Sequence, residues 1–256
     1  MSKGSALVTG GGSGIGRVAA RRFANAGYTV AILDVNEPGL RETAADQENI
    51  HVDPVEITDY EAVCAAVQDF ESRCGPLQRV YNCAAIMPFG KLIEQEPAVT
   101  NKMMSINYGG LVNITRATLP GMVERGRGDF VSFASAAGLI PAMLMGGYNA
   151  SKAAVVYYTE VLYHENRNSG VRFACVCPPP VATPLLDQGR ETAWPKLMAQ
   201  TEGDELTPET VLDAIENDLD KGRFMVMVNR ASRIGALMRR FFPGLIWKNI
   251  HQVEGW

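Results

Sequence analysis

Tyr148 and Lys152, in Tyr148-Asn149-Ala150-Ser151-Lys152, set a phenol and an ammonium four residues apart, neighbours on one face of a helix. A phenol titrates at about pH 10 in water, and a fixed cation nearby favours its anion. Such a phenol can take the proton of an alcohol while a second group accepts hydride from the same alcohol. Alone, the spacing is common on solvated helix faces. Ser135, in Ala134-Ser135-Ala136-Ala137-Gly138, stands thirteen residues before Tyr148 at the end of a strand-like run. It adds a hydroxyl that both donates and accepts.

A second concentration of chemistry is Thr9-Gly10-Gly11-Gly12-Ser13-Gly14-Ile15-Gly16, placed between a first strand and a helix pattern that opens with Val18, Ala19 and Phe23. Glycines there permit a tight turn and let backbone N–H groups meet a pyrophosphate at a helix N-terminus. This predicts dinucleotide binding. Asp34 closes the second strand at the distance where an acid accepts hydrogen bonds from ribose hydroxyls and repels a 2′-phosphate. With Ser13 and Val35 nearby rather than Arg or Lys, the expected cofactor is NAD rather than NADP.

The elements that must carry these groups alternate along the chain. Ala6 to Thr9, Thr29 to Leu33, Val80 to Cys83, Phe130 to Phe133, Val171 to Cys177 and Phe224 to Val228 read as strands. Helix-length segments lie between them, among them Asp59 to Arg73, Asn101 to Thr118 and Tyr148 to Asn166. Successive βαβ units predict an α/β fold: a single Rossmann domain over residues 1–256, with a doubly wound parallel sheet covered by helices on both faces. The stretch 179–206, proline-rich and with little periodicity, is expected to be a substrate lid docked through Leu185, Leu186, Trp194, Leu197 and Met198.

Taken together, the glycine turn, Asn82-Cys83-Ala84-Ala85, Ser135 and Tyr148-x-x-x-Lys152 resemble the classical short-chain dehydrogenase/reductase family over residues 5 to about 228. The family's TGxxxGxG motif falls on Thr9, Gly10, Gly14 and Gly16, its catalytic Ser, Tyr and Lys on Ser135, Tyr148 and Lys152, and its central-helix Asn on Asn107. The resemblance implies that Ser135 holds the substrate oxygen, Lys152 also binds the nicotinamide ribose, and Asn107 supports a water that leads protons away. It further implies cofactor contacts from Ser13, Ile15, Glu56, Ile57, Asn82, Ala84, Pro178, Val181 and Thr183, and assembly into a dimer or tetramer through the helices bearing Asn107 and Tyr148. Three departures are visible. Asn82-Cys83-Ala84-Ala85 stands for NNAG, Pro179 replaces a glycine after Pro178, and Glu56 replaces the adenine-pocket Asp. Pro179 also removes a backbone donor.

Pro88, Phe89, Ala136, Leu139, Pro141, Met143, Leu144, Met145, Leu185, Leu186 and Trp194, together with Ser135, are the expected substrate-facing positions. A site for a carboxylate or phosphate usually carries Arg or Lys, and only Arg190 and Lys196 are at hand. The expected substrate is therefore a lipophilic secondary alcohol or its ketone. The rival readings are an NADPH-dependent ketone reductase of the same fold and a dinucleotide-binding sensor without turnover. The intact Ser135, Tyr148 and Lys152 argue against the sensor.

Composition narrows the remaining classes. Five cysteines form no CxxC pair and His164-Glu165 lacks a second histidine at Asn168, so neither a disulfide framework nor a metal site is expected. No apolar run approaches the roughly 20 residues of a membrane span. Met-Ser-Lys-Gly-Ser at residues 1–5 leads without a secretory h-region into the first strand, so a cytoplasmic location is expected. Residues 221–256 carry seven Lys/Arg and one Glu, net +6, against net −10 for residues 1–220. The acidic body disfavours nucleic acid. The basic amphipathic tail, 231–256, is expected to cover the pocket or a neighbouring subunit in preference to a membrane surface.

Overall fold

The computed structural model describes residues 3–256; Met1 and Ser2, part of the N-terminal stretch read for a leader, lie outside them. Seven parallel strands form one sheet among the described residues: β1 (Gly4–Thr9), β2 (Tyr28–Asp34), β3 (Ile50–Pro54), β4 (Leu77–Asn82), β5 (Gly128–Phe133), β6 (Val171–Val176) and β7 (Met225–Val226). Their order is β3-β2-β1-β4-β5-β6-β7. The order reverses direction between β1 and β4, and open α/β sheets bind ligands outside the strand C-termini at such a switch point.

The helices are α1 (Gly14–Asn25), α2 (Glu37–Ala44), α3 (Tyr60–Cys74), α4 (Pro97–Met104), α5 (Gly110–Glu124), α6 (Gly146–Glu165), α7 (Pro184–Thr192), α8 (Lys196–Ala199), α9 (Pro208–Asp220), α10 (Arg230–Phe241) and α11 (Pro243–Glu254). Strand residues alternate between two cores with a period of two. Ala6, Val8, Val30 and Ile32 pack with Ala19, Phe23 and Leu40 of α1 and α2 and with Leu212 and Ile215 of α9. Leu7, Leu33, Val80 and Phe130 pack with Val63 and Phe70 of α3, Ile114 of α5 and Val155 of α6. The doubly wound architecture read from the sequence is the one found.

Four boundaries differ from that reading. β3 joins the six expected strands; His51, Asp53 and Pro54 break the apolar run that marks the others. The expected strand at 224–228 pairs only over Met225 and Val226. The helix expected over 101–118 runs from Pro97 to Glu124, divided by a π-helical turn at Ser105–Gly109. Residues 179–206 contain α7 and α8 rather than an aperiodic loop, with Pro184 at the first turn of α7, where proline suits a helix start.

At the end of the sheet away from the switch point, strand register sets charges side by side. Arg79 lies opposite Asp129, and Asp129 opposite Arg172. Arg79 meets Asp129 at 2.9 Å and Glu216 at 2.8 Å, Arg172 meets Asp129 at 2.7 Å, and Tyr81 Oη donates to Glu216 at 2.8 Å. These pairs tie α9 to β4 and β5, away from the strand C-termini where an open α/β sheet binds ligands.

Candidate active site

β1 and β4 end side by side at the switch point, joined by a hydrogen bond from the Ala84 N–H to Thr9 Oγ1 at 3.1 Å. The chain then turns through Gly10, whose φ of +67° favours glycine and whose absent Cβ would stand 2.9 Å from the Ala84 nitrogen. At Gly16 a Cβ would lie 2.2 Å from the Gly10 carbonyl oxygen. Gly16→Ala is therefore expected to lower stability by about 1–3 kcal/mol and to abolish dinucleotide binding, read by thermal melting and by a dinucleotide titration. No side chain caps α1 at Ser13, which leaves first-turn N–H groups of a helix for an anion.

This turn opens on a cavity of about 940 Å³ lined by Gly10, Ser13, Gly14, Ile15, Gly16, Asp34, Glu56, Ile57, Ala84 and Thr183. Those ten expected cofactor positions share one wall system whose size suits a large ligand. Asp34 is fixed there: Oδ2 accepts from the Gly12 N–H and Oδ1 from the Asn36 N–H, both at 3.0 Å. Sequence reading found no cation beside Asp34, but the fold places Arg17 in the same wall. Its guanidinium is held by Glu42 at 2.6 and 2.9 Å and by the Gly12 carbonyl at 2.6 Å. Arg17 directly follows Gly16 in α1, and nothing local to the sequence shows that it turns toward Asp34.

The other expected cofactor positions lie deeper. Thr9, Asn82 and Asn107 border a void of about 10 Å³ behind the cavity, and the Asn82 amide nitrogen is buried without a partner there. The void is about large enough for one water. The Pro178 carbonyl accepts from the Ala136 N–H at 2.9 Å. Val181 is buried, bridged to Leu206 and packed in the α1/α9 core rather than along the cavity.

Tyr148 and Lys152 are 5% and 2% exposed on α6. Lys152 Nζ donates to the Phe133 carbonyl at 2.8 Å and lies 5.8 Å from the Tyr148 ring centre. Burial pushes the Tyr148 phenol up to about 12, while its interaction with the Ser135 hydroxyl pulls it down. Burial pushes the Lys152 ammonium down to about 8. The Lys152 ammonium, expected to poise the phenol, gives its hydrogen bond to the backbone, and Ser135 is the group that favours the phenolate.

Asn107 sits in the π-helical turn. Such turns are rare and recur at functional sites. Its Oδ1 accepts from the Ile86 N–H at 2.9 Å, and its Nδ2 donates to the Ile86 carbonyl and to Ser151 Oγ, both at 3.0 Å. Both amide hydrogens are thus spent on bracing α6 against the segment after β4.

Over Tyr148 lies a third apolar cluster, of Met87, Phe89, Met103, Met145 and Leu186, with Leu185, Trp194 and Met198 packed against it. Phe89 stacks on Trp194 at 6.0 Å and meets the Tyr148 ring edge-on at 6.3 Å. Met87 and Phe89 donate their N–H groups to Gln188 and Thr192 of α7 at 3.0 and 2.8 Å. The tail ties into the same segment. Glu254 accepts from the Lys196 and Leu197 N–H groups at 3.1 and 2.9 Å, and Lys196 Nζ donates to its carbonyl at 3.0 Å.

Of the expected substrate positions, Phe89, Met145, Leu185, Leu186 and Trp194 join this cluster; Pro88, Ser135, Ala136 and Met143 are half-buried outside its apolar contacts. Leu144 carries a left-handed φ of +63°, its carbonyl accepting from the Gly90 N–H at 2.7 Å. Leu139 and Pro141 instead line a separate groove between α6 and α10, carried there by the turn after Ala136–Gly138. Met87, Met103 and Gln188 were not singled out in the sequence; methionines in an apolar stretch give no signal that separates a site from a core.

Known proteins agree with this arrangement. A sequence model described as short chain dehydrogenase matches residues 5–194. The 2-keto-3-deoxy-L-fuconate dehydrogenase of Xanthomonas campestris pv. campestris is 32% identical over 71% of this chain, a match that spans 60% of that relative's own length. The 17-beta-hydroxysteroid dehydrogenase 13 of Rattus norvegicus is 29% identical over 97% of this chain and 82% of its own. A crystal structure of a short chain dehydrogenase/reductase from Burkholderia phymatum in complex with NAD superposes with a TM-score of 0.85, at 27% identity and 95% coverage of both chains.

Proposed function

Because this chain belongs to the short-chain dehydrogenase family, we propose that it is an NAD-dependent oxidoreductase that interconverts a lipophilic secondary alcohol and its ketone, with Tyr148 as general acid/base. The observation that carries the reading is the apolar cluster of Met87, Phe89, Met103, Met145 and Leu186 closed over a phenol whose polar neighbour is Ser135. The two cations nearest in sequence are engaged elsewhere: Arg190 pairs with Asp187 at 2.9 Å and Glu205 at 2.7 Å, and Lys196 is held by Glu254. A carboxylate would find no free partner in either of them. Trp194 Nε1, buried without a partner, offers a further donor.

The glycine turn, the N-terminus of α1, Asp34, Ile57, Ala84 and Thr183 fit a dinucleotide in the cavity they line. A nicotinamide dinucleotide held there would supply the acceptor for the carbinol hydride and, in its oxidised form, a positive charge that favours the phenolate. Ser135 donates to the substrate oxygen and holds it, and the Tyr148 phenolate takes its proton as the carbonyl forms. Lys152 holds the Phe133 backbone and contributes a donor toward the ribose, while Asn107 keeps α6 in register with Ile86. Residues 179–206 are the lid in this reading, since α7 and Trp194 pack against the apolar cluster that holds Tyr148.

Asp34 supports NAD over NADP, because Arg17 is already neutralised by Glu42 and the carboxylate would face a 2′-phosphate. Asp34→Ser combined with Glu42→Gln removes that acid and frees the guanidinium. The kcat/KM ratio of NADP to NAD is expected to rise about ten- to a hundredfold, the worth of one charge-assisted hydrogen bond. A panel of lipophilic secondary alcohols, followed by NADH absorbance, tests the substrate class; turnover confined to small charged hydroxy acids would contradict it.

A further inference from the structure

Of the two tail helices, α11 packs on the lid. Ile250 and Glu254 of α11 are buried, and Glu254 caps α8. On α10, by contrast, Ser232 is the buried residue, while Ile234, Leu237 and Phe241, spaced as one helical stripe, and Phe242 and Leu245 just beyond are each more than half exposed. An amphipathic helix on a folded body ordinarily turns such a stripe inward. Here it faces out.

Arg230, Arg233, Arg240 and Lys248 are exposed among these apolar residues, and none forms an ion pair among the described residues. The single acid of residues 221–256, Glu254, is spent on the lid. The tail's own contribution to this face is therefore apolar and cationic, with Glu160 of α6 the acid that lines the groove beside it, on a body whose remaining residues are net negative.

We propose that this face docks on an anionic phospholipid bilayer, with Leu237, Phe241, Phe242 and Leu245 entering the acyl boundary and the guanidiniums lying at the phosphates. Charge selects this occupant. A two-fold contact between copies through the same face would gather Arg230, Arg233, Arg240 and Lys248 of both copies, with Glu160 the acid that lines the groove to offset them. An anionic lipid surface complements both the cations and the apolar stripe, and it repels the acidic body, so that the tail alone approaches. The contact is interfacial, since no described helix is long and apolar enough to cross a membrane. It stands independently of the catalytic reading.

Flotation of the full chain with vesicles of phosphatidylcholine alone, and with vesicles of phosphatidylcholine and phosphatidylglycerol, tests it. Binding is expected to the second and not the first, and to weaken as salt screens the guanidiniums. Leu237→Ser with Phe241→Ser, and separately Arg233→Gln with Arg240→Gln, should each lower the bound fraction about tenfold or more with an unchanged melting temperature. Absence of binding to the anionic vesicles, equal binding to the neutral ones, or full binding by both double variants would overturn the proposal. So would an oligomer in lipid-free sedimentation that the Leu237→Ser/Phe241→Ser variant dissociates, since the face would then belong to another copy.

Discussion

Tyr148→Phe is expected to lower turnover about a hundred- to ten-thousandfold while leaving dinucleotide affinity unchanged. The substitution removes one oxygen from a side chain that is 5% exposed and otherwise surrounded by apolar groups. The ring keeps its contact with Phe89 and no cavity opens, so the melting temperature should hold. The loss must then come from the proton. A phenol pushed up to about 12 by burial does not ionise unaided near neutral pH, so the groups that favour its anion decide the rate. Steady-state kinetics with a turned-over alcohol, alongside a dinucleotide titration, separates the two effects. Full turnover by the Phe variant would remove Tyr148 from the chemistry.

Lys152→Met should also abolish turnover, yet make the ligand-free protein more stable. The ammonium is buried with the Phe133 carbonyl as its hydrogen-bond partner, and burial has pushed its pKa down to about 8. Replacing a buried charge with an apolar side chain of similar length is often neutral or stabilising. Each kcal/mol gained would raise Tm by about 2–4 °C in a protein of this size. The sign with pH follows from the same shift. Folded protein releases this proton near pH 8, whereas the unfolded chain retains it to the ordinary lysine value of 10.5. Between those values the unfolded state holds more protons, so the Lys152 contribution favours folding increasingly as pH rises. Lys152→Met should erase that rise. Melting curves of the two proteins at neutral and alkaline pH are sufficient; a lower Tm for the variant at neutral pH would show that the hydrogen bond to Phe133 outweighs the charge.

The parts of this molecule legible in the sequence are those where local chemistry and spacing coincide. Gly10 follows a strand and Gly14 and Gly16 open the helix after it, and the turn they make is the one found. Tyr148 and Lys152 are a helical turn apart, and α6 presents both to the end of β5. What the sequence hid depends on long-range contact. β3 carries His51, Asp53 and Pro54 and owes its place to pairing with β2. Arg17 reaches the cavity wall beside Asp34, and its neutralisation by Glu42, 25 residues on, requires the first βαβ unit to be folded. Glu254 caps α8 across 57 residues. Prolines at 178–180, 184 and 195 suggested an irregular stretch, although Pro184 starts a helix rather than breaking one. Leu139 and Pro141 have the same apolar character as Met145, and only the backbone path after Ser135 sends them to a different groove.

Soaking or co-crystallising the protein with NAD and a lipophilic secondary alcohol tests the central claim most directly, through the position of the alcohol oxygen. The account predicts that oxygen within about 2.6–3.2 Å of both Tyr148 Oη and Ser135 Oγ, beneath a displaced Trp194 and Leu186. An alcohol bound elsewhere, with the Tyr148 hydroxyl still sealed under Met145 and Leu186, would contradict it.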